Sequence, residues 1–418
     1  LAGSKAGCLA ALLFGIFSSG PRIEGGGVNT EIFMVLPYTL AAYSLLRAVE
    51  SDEQKHYLLF GLWTGLASTI KQVALVNLFW LGAYLVFYVW RTRNREASAH
   101  ALRAVVLGAF GATLAWIPYC LYFYLKDAFY HFYYWQVSFN LDYMAEGHAA
   151  LPNLAIFWHQ TRDILGENGI LWLLALAGIA WQWQELRKSR ALGLGSSTGD
   201  HQVSAYFIMS TWPLFSFLGV SLGGHFYGHY YIQIIPALAV LGGVGLVRLS
   251  GQVRLHGIEI LRSPISLVLT LLFAKALLLF VITDAPYYLS YNADQISLHQ
   301  YRTPLFSVTR FIGKYLQQHT QPDELVYVWA TNPEINFYAL RKTPSPFLVQ
   351  RRESRVPIEE VIQSLEKSPP KYIVVIDKMK RFPQLQEYIR QNYQEETDTE
   401  VDELKKLLAF NLYRRKEG

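Results

Sequence analysis

The chain has 418 residues, 52% of them hydrophobic and 17% charged, with a formal net charge of +5. That small excess is accounted for by basic loops between apolar stretches, so it implies no nucleic-acid partner. The two cysteines, Cys8 and Cys120, both fall inside apolar stretches and support neither a disulfide framework nor a thiolate metal site.

A bilayer core of about 30 Å needs about 20 mostly apolar helical residues. Taken in order, the stretches 6–19, 31–48, 57–70, 73–90, 104–125, 170–183, 205–222, 230–247 and 265–283 meet or approach that criterion, which predicts about nine spans. Basic residues collect in every second gap: Arg91, Arg93, Arg95 and Arg103, then Arg187, Lys188 and Arg190, then Arg248, Arg254 and Arg262. Cytoplasmic loops are rich in Lys and Arg, so these gaps read as inside, with Lys5. The gap 47–56 carries acids beside Arg47 and Lys55 and is also placed inside, because acids count little in that rule. No cleavable signal peptide is visible behind Lys5.

The expected architecture is an α-helical polytopic membrane bundle over 1–286, followed by an α/β domain over 287–418 on the outer, extracytoplasmic face. A Gly/Ser-containing linker at 193–199 reads as flexible and cytoplasmic. The outside stretch 126–169 contains Phe129, Tyr130, Phe132, Tyr133, Tyr134, Trp135, Phe139 and Tyr143, the composition of a helix lying at the headgroup level or of a plain aromatic belt. In the last third, 307–319, 358–367 and 384–394 read as helices. Strands are expected at 324–330, 334–340, 347–350, 372–377 and 407–413, and the acid-rich 395–403 as a solvated turn.

Three outside loops hold candidate chemistry. The first runs from Gly20 to Glu31 and carries Arg22, Glu24 and Glu31 among glycines that let a backbone approach a ligand. Glu31 also stands where a helix begins, so it can equally complement the helix dipole behind Asn29 or Thr30. The second is the hairpin at Lys71 and Gln72. Its preceding span has only about 14 residues, or ~21 Å, so the turn can lie below the outer surface. A cation there costs about 2.5–3.5 kcal/mol on insertion scales and wants a wet cavity or an anion such as phosphate; snorkelling to the headgroups is the alternative. The third contains His225, Tyr227, His229 and Tyr230. The two histidines are four apart, as in some zinc sites, but Gly228 between them weakens a helix. Rings and imidazoles at the interface can instead hold a sugar and a phosphate, or simply anchor the loop. Lys275, in mid-span, is expected to face the bundle interior. No Walker loop, dinucleotide fingerprint or nucleophile elbow occurs.

The run Asn29-Thr30-Glu31-Ile32-Phe33-Met34, the hairpin from Gly65 to Gln72, and His225 to Tyr230 with Pro236 downstream resemble the polytopic glycosyltransferases of the GT-C class. The resemblance is to the protein mannosyltransferase-like and aminoarabinose transferase-like families 39 and 83, including lipopolysaccharide galacturonic acid transferases. It implies sugar transfer from a polyprenyl-phosphate donor to a lipid, glycan or protein acceptor on the outer side of the inner (plasma) membrane, with inversion at the anomeric carbon. It further implies that Lys71 meets phosphate, that Glu31 is the second acidic position, and that the Tyr227 region flanks the donor. His225 stands where many relatives have Arg.

The family's first span and acidic loop have no counterpart before residue 6, so an N-terminal truncation is expected and this fragment itself can be inactive. Arg22 and Lys71, with Gln72, His225, Tyr227, His229 and Tyr230, are then the donor-phosphate or substrate contacts, and Glu31 or Glu24 the base. No cofactor is expected; a divalent metal has no support. A transporter or flippase for a lipid-linked sugar is the competing reading, which would want the same interior cation. A non-catalytic scaffold is the third.

Overall fold

The fold is that of a computed structural model in which residues 3–148, 153–191, 197–252, 278, 282, 284–348, 356–376 and 382–416 are described. The chain divides into two compact units, residues 1–129 with 147–285, and residues 130–146 with 286–418.

The first unit is helical. Its elements are α1 (Gly3–Ser18), α2 (Thr30–Ser51), α3 (Lys55–Ile70), a 3-10 turn (Gln72–Leu75), α4 (Val76–Thr92) and α5 (Arg95–Leu125). After the connecting helices α6 (Phe129–Tyr133) and α7 (Phe139–His148), joined through the π-turn Tyr134–Ser138, it resumes with α8 (Asn153–Ala191) and α9 (Ser197–Ser221). A second 3-10 turn (Gly228–Gln233) then leads into α10 (Ile235–Gln252). Among the described residues, five helical stretches are long and apolar enough to cross a membrane: Thr30–Ser51, Gln72–Thr92, Arg95–Leu125, Ala155–Lys188 and His201–Ser221. Gly3–Ser18 and Ile235–Leu249 are apolar but shorter. The outward face of α5 exposes Leu102, Val105, Val106, Phe110, Ile117 and Leu121, a stripe too apolar for water and suited to lipid.

Two stretches differ from the sequence reading. Residues 153–169, expected outside the membrane, continue into the following span as the single helix α8, because no proline interrupts 153–191. The span expected at 230–247 starts instead as a 3-10 turn and becomes α-helical only at Ile235. Lys275, residues 193–196 of the linker and nearly all of 265–283 lie outside the described residues.

Small residues bring the helices together. A Cβ added at Gly61 would overlap the carbonyl of Gly108, and one added at Gly111 would overlap the carbonyl of Leu58, so α3 and α5 meet backbone to backbone. The same relation holds between α8 and α10, where Gly178 faces the Leu241 carbonyl and Gly245 the Leu174 carbonyl. Two apolar cores result, one around Leu13, Leu171, Ile232 and Leu238, the other around Tyr38, Phe60, Trp80 and Trp212.

The second unit is an α/β sandwich. Its remaining helices are α11 (Ala293–Tyr301), α12 (Leu305–His319), α13 (Glu334–Ala339), α14 (Ile358–Lys367), α15 (Pro383–Asn392) and α16 (Thr399–Leu407). Its strands are β1 (Val326–Trp329), β2 (Tyr372–Val375), β3 (Tyr393–Glu395) and β4 (Asn411–Arg415), in the order β1-β2-β4-β3. β1 and β2 are parallel, with Val326 opposite Tyr372, while β4 runs antiparallel to both β2 and β3. Alternation sends Val326, Val328, Tyr372 and Val374 toward α12, α13 and α16, and Tyr327, Trp329, Ile373 and Val375 toward α14 and α15.

Residues 334–340 were expected as a strand and form α13, because Pro333 precedes the helix, Glu334 sits in its first turn, and Leu340 closes it in a left-handed conformation (φ 54°). Phe347 and Leu348 lie in an irregular stretch rather than the strand expected there. The acid-rich turn is instead the end of β3 followed by α16, whose Glu400 N–H donates to the Asp398 carboxylate as an N-cap.

The aromatic connection packs into this sandwich. Tyr134 is buried with its ring edge-on to Phe347 at 5.2 Å, and the Tyr130 hydroxyl donates to Glu360 at 3.3 Å. Tyr133, Val137 and Leu141 remain on the exposed side. The segment is therefore aromatic on two faces, one of which belongs to a protein core rather than to the headgroup layer expected for it.

Gly111→Leu is expected to destabilise the first unit by at least about 2 kcal/mol through overpacking, whereas Gly82→Ala, where an added Cβ meets nothing, gains up to about 1 kcal/mol of helix propensity. Thermal unfolding of the two variants in detergent reads the difference. Tyr134→Ala leaves an aromatic-sized cavity in the second unit and should cost about 3 kcal/mol, read as an earlier denaturant midpoint by circular dichroism.

Candidate functional site

The N-terminus of α2, the C-terminus of α3 and the 3-10 turn before α10 converge at one end of the helical unit. α3 stops at Ile70 because Lys71 turns extended (φ −150°), and its N–H still closes the helix on the Ala67 carbonyl. The Lys71 ammonium makes an ion pair with the Glu31 carboxylate and lies 3.6 Å from the centre of the Tyr230 ring. Glu31 is 1% exposed and Lys71 20%. The second Glu31 oxygen accepts from the Thr30 hydroxyl at 3.0 Å. Asn29 occupies the N-cap position of α2 but gives no side-chain cap, its amide donating instead to the Glu24 carbonyl at 3.2 Å. The dipole-complement reading and the Lys71-partner reading of Glu31 thus both describe its surroundings.

The first loop folds against the last. Glu24 adopts a left-handed conformation (φ 60°), and its carboxylate meets His229 Nδ1 at 2.8 Å. A Cβ at Gly228 would overlap the Arg22 carbonyl oxygen, so only glycine lets these two strands of chain approach. His229 stands edge-on to Tyr230, with ring centres 4.9 Å apart, and this contact joins the Glu24–His229 pair to the Glu31–Lys71–Tyr230 group. Farther out, His225, Tyr227 and His229 form a ladder of near-parallel rings with centres 5.5 and 5.7 Å apart. The histidines therefore sit on an extended loop and a 3-10 turn, with Tyr227 between them, and do not share a helical face as zinc-pair spacing would need. Among the described residues no three His, Cys, Asp or Glu side chains gather as metal ligands.

Sequence reasoning overlooked Glu167. It projects from α8 to the first loop, where one of its oxygens accepts from the Arg22 N–H at 3.0 Å and the other lies beside Gly20, buried without a hydrogen-bond partner among the described residues. Arg22 thus enters the site through its main chain. The sequence signal was an acid in the run Gly166-Glu167-Asn168-Gly169, just ahead of a span. Gln72 opens the 3-10 turn after Lys71.

An apolar cleft of about 750 Å³ runs along α2 from Ile32, the neighbour of Glu31, past Val35, Leu36 and Thr39 to Leu46. Its opposite walls are the small-residue face of α1 and parts of α8, α9 and α10.

Residues 1–116 match the family model described as dolichyl-phosphate-mannose-protein mannosyltransferase. That match includes Glu24, Glu31 and Lys71 and ends before Glu167 and the His225–Tyr230 loop. Residues 309–416 match the competence-induced protein Ccs4 C-terminal domain family. No curated protein matches the chain. Through residues 1–116, the chain is thus similar to the GT-C-like membrane glycosyltransferases.

Proposed function

We propose that the protein transfers a sugar from a polyprenyl-phosphate donor to a lipid, glycan or protein acceptor, with the reaction at the membrane end that carries Glu31 and Lys71. One observation carries this reading: a half-buried ammonium is paired with Glu31, whose neighbour Ile32 opens an apolar cleft long enough to take part of an isoprenoid chain. Leucine 46 is 14 positions beyond Ile32, or about 21 Å of helix. A phosphate bound at Lys71 would place its lipid in the cleft and its sugar toward the His225–Tyr227–His229 rings.

Cleavage of the sugar–phosphate bond leaves negative charge on the phosphate, and an attacking hydroxyl must lose a proton. Lys71 serves the first need. For the second, Glu24 is better placed than Glu31, since both Glu31 oxygens are already engaged inside the protein, whereas Glu24 keeps some contact with solvent. His229, with Nδ1 held by Glu24, offers Nε2 to the same proton path. Attack opposite the phosphate inverts the anomeric centre. The basic gaps support an extracytoplasmic side of the inner membrane for this end, and likewise for residues 287–418.

Membranes containing the chain, incubated with radiolabelled polyprenyl-phosphate sugars, separate the readings: labelled product supports a transferase, label crossing the bilayer without product supports a transporter, and neither supports a scaffold. Lys71→Ala should lower transfer by about 10²–10³-fold, the usual loss when one stabiliser of a charged leaving group is removed. Because it also strands the Glu31 charge, the double variant Lys71→Met with Glu31→Gln serves as the folded comparison, and it should be equally inactive. Glu24→Gln should reduce turnover by about 10²–10⁴-fold at unchanged donor affinity. Full turnover in either variant removes that residue from the mechanism.

A further inference from the structure

The other end of the helical unit holds a second, polar cavity of about 610 Å³. It forms where α2 and α4 end and α3, α5 and α9 begin, so it lies at the opposite helix ends from Glu31 and Lys71. Its wall carries Tyr57, Tyr84 and Tyr88, and Asp52 lines it with them; Arg91 and His201 also border it. Tyr57 and Tyr84 are buried, Tyr88 is half-buried, and Asp52, Arg91 and His201 are exposed. The cavity is thus an aromatic floor under a charged rim.

The wall is held in shape by its own contacts. The Tyr57 hydroxyl and His100 Nε2 are 3.2 Å apart, and the His100 ring stands edge-on to Tyr57 and tilted against Tyr88. His201 Nδ1 meets the Val49 carbonyl at 2.6 Å, which leaves Nε2 as its second polar atom.

Tyrosine faces and a carboxylate attract an organic cation, which each ring stabilises through its π-system. A guanidinium and an imidazole attract phosphate. A simple anion would meet Asp52, and a simple cation would meet Arg91. A group carrying both charges satisfies both sides, and the cavity has the size usual for small-molecule sites. We propose that this cavity binds an ammonium-phosphate zwitterion, the headgroup of an amine-bearing phospholipid, with the ammonium against Asp52 and the tyrosines and the phosphate at Arg91 and His201. The rim lies at helix ends, where headgroups are found. The site is independent of the transfer reaction proposed for the other end.

The full chain, purified in detergent, tests this by thermal unfolding with three probes: short-chain phosphatidylethanolamine, short-chain phosphatidylglycerol and free phosphoethanolamine. The expected result is a saturable rise in midpoint with the phosphatidylethanolamine and none with the phosphatidylglycerol. A rise with free phosphoethanolamine as well assigns recognition to the headgroup alone; a rise with the lipid only adds the acyl chains; a rise with the free compound only assigns a soluble source. Asp52→Asn should weaken the apparent affinity by about tenfold, the value of a single charge-assisted contact, and so should Arg91→Gln. Asn is tolerated at the left-handed position that Asp52 occupies (φ 54°), so this variant keeps the turn. Equal stabilisation by phosphatidylglycerol, no stabilisation by either ammonium compound, or unchanged affinity in a normally melting Asp52→Asn variant overturns the proposal.

Discussion

One half-buried ammonium beside one buried carboxylate holds the Glu31–Lys71 end of the helical unit together. A lone Lys at membrane depth costs about 2.5–3.5 kcal/mol on insertion scales, and stripping one member from a buried pair costs about 3–5 kcal/mol, so neither Lys71 nor Glu31 is stable there without the other. Their pairing ties the start of α2 to the end of α3, and the Tyr230 ring over the ammonium adds the turn before α10. The helix dipole of α2 contributes a further ~0.3–1 kcal/mol to the carboxylate, too little to hold the pair by itself. Three elements distant in sequence are fixed by one interaction whose strength comes from the absence of water.

That constraint explains why the surrounding loops fold so tightly. Shielding the pair requires the first loop to lie close over the 3-10 turn, and Gly228 removes the side chain that would collide with the Arg22 carbonyl. Glu167 then anchors the loop from α8 through the Arg22 N–H. A buried carboxylate oxygen with no partner is costly, of the order of 1–3 kcal/mol, which marks the Glu167 position as one maintained against a local penalty.

Much of this was legible in the sequence, for identifiable reasons. Lys71 stood out because a basic residue ended an unusually short apolar run, and Glu31 because an acid opened the preceding one. Their mutual contact was not legible, since 40 residues of chain separate them and only the packing of α2 on α3 closes that distance. The α/β elements of the second unit followed from hydrophobic period where amphipathic faces were strong, as in α12 and α14, with strands β1 and β2 read from short β-branched runs. Residues 334–340 misled because Ile335, Phe337 and Leu340 suit a strand, and Pro333 at the helix start with Glu334 in the first turn outweighed them. The aromatic connection misled in another way: ring-rich composition fits a lipid interface and a protein core equally, and only the partner, Phe347, decides between them for Tyr134.

The two carboxylates of the first loop are divided by their partners, and the division follows from elementary chemistry. Glu31 faces the Lys71 ammonium and is engaged on both oxygens, so a hydroxyl could reach it only by displacing Lys71 or Thr30. Glu24 faces an imidazole, a group with two ring nitrogens that can each donate or accept, and both partners retain some exposure. A lysine partner suits a carboxylate that holds charge in place. A histidine partner suits one through which a proton has to pass. With Tyr230 and His229 adjacent in sequence and in edge-to-face contact, the two carboxylates sit side by side with different partners, the division of labour that the proposed sugar transfer from a phosphate to a hydroxyl requires.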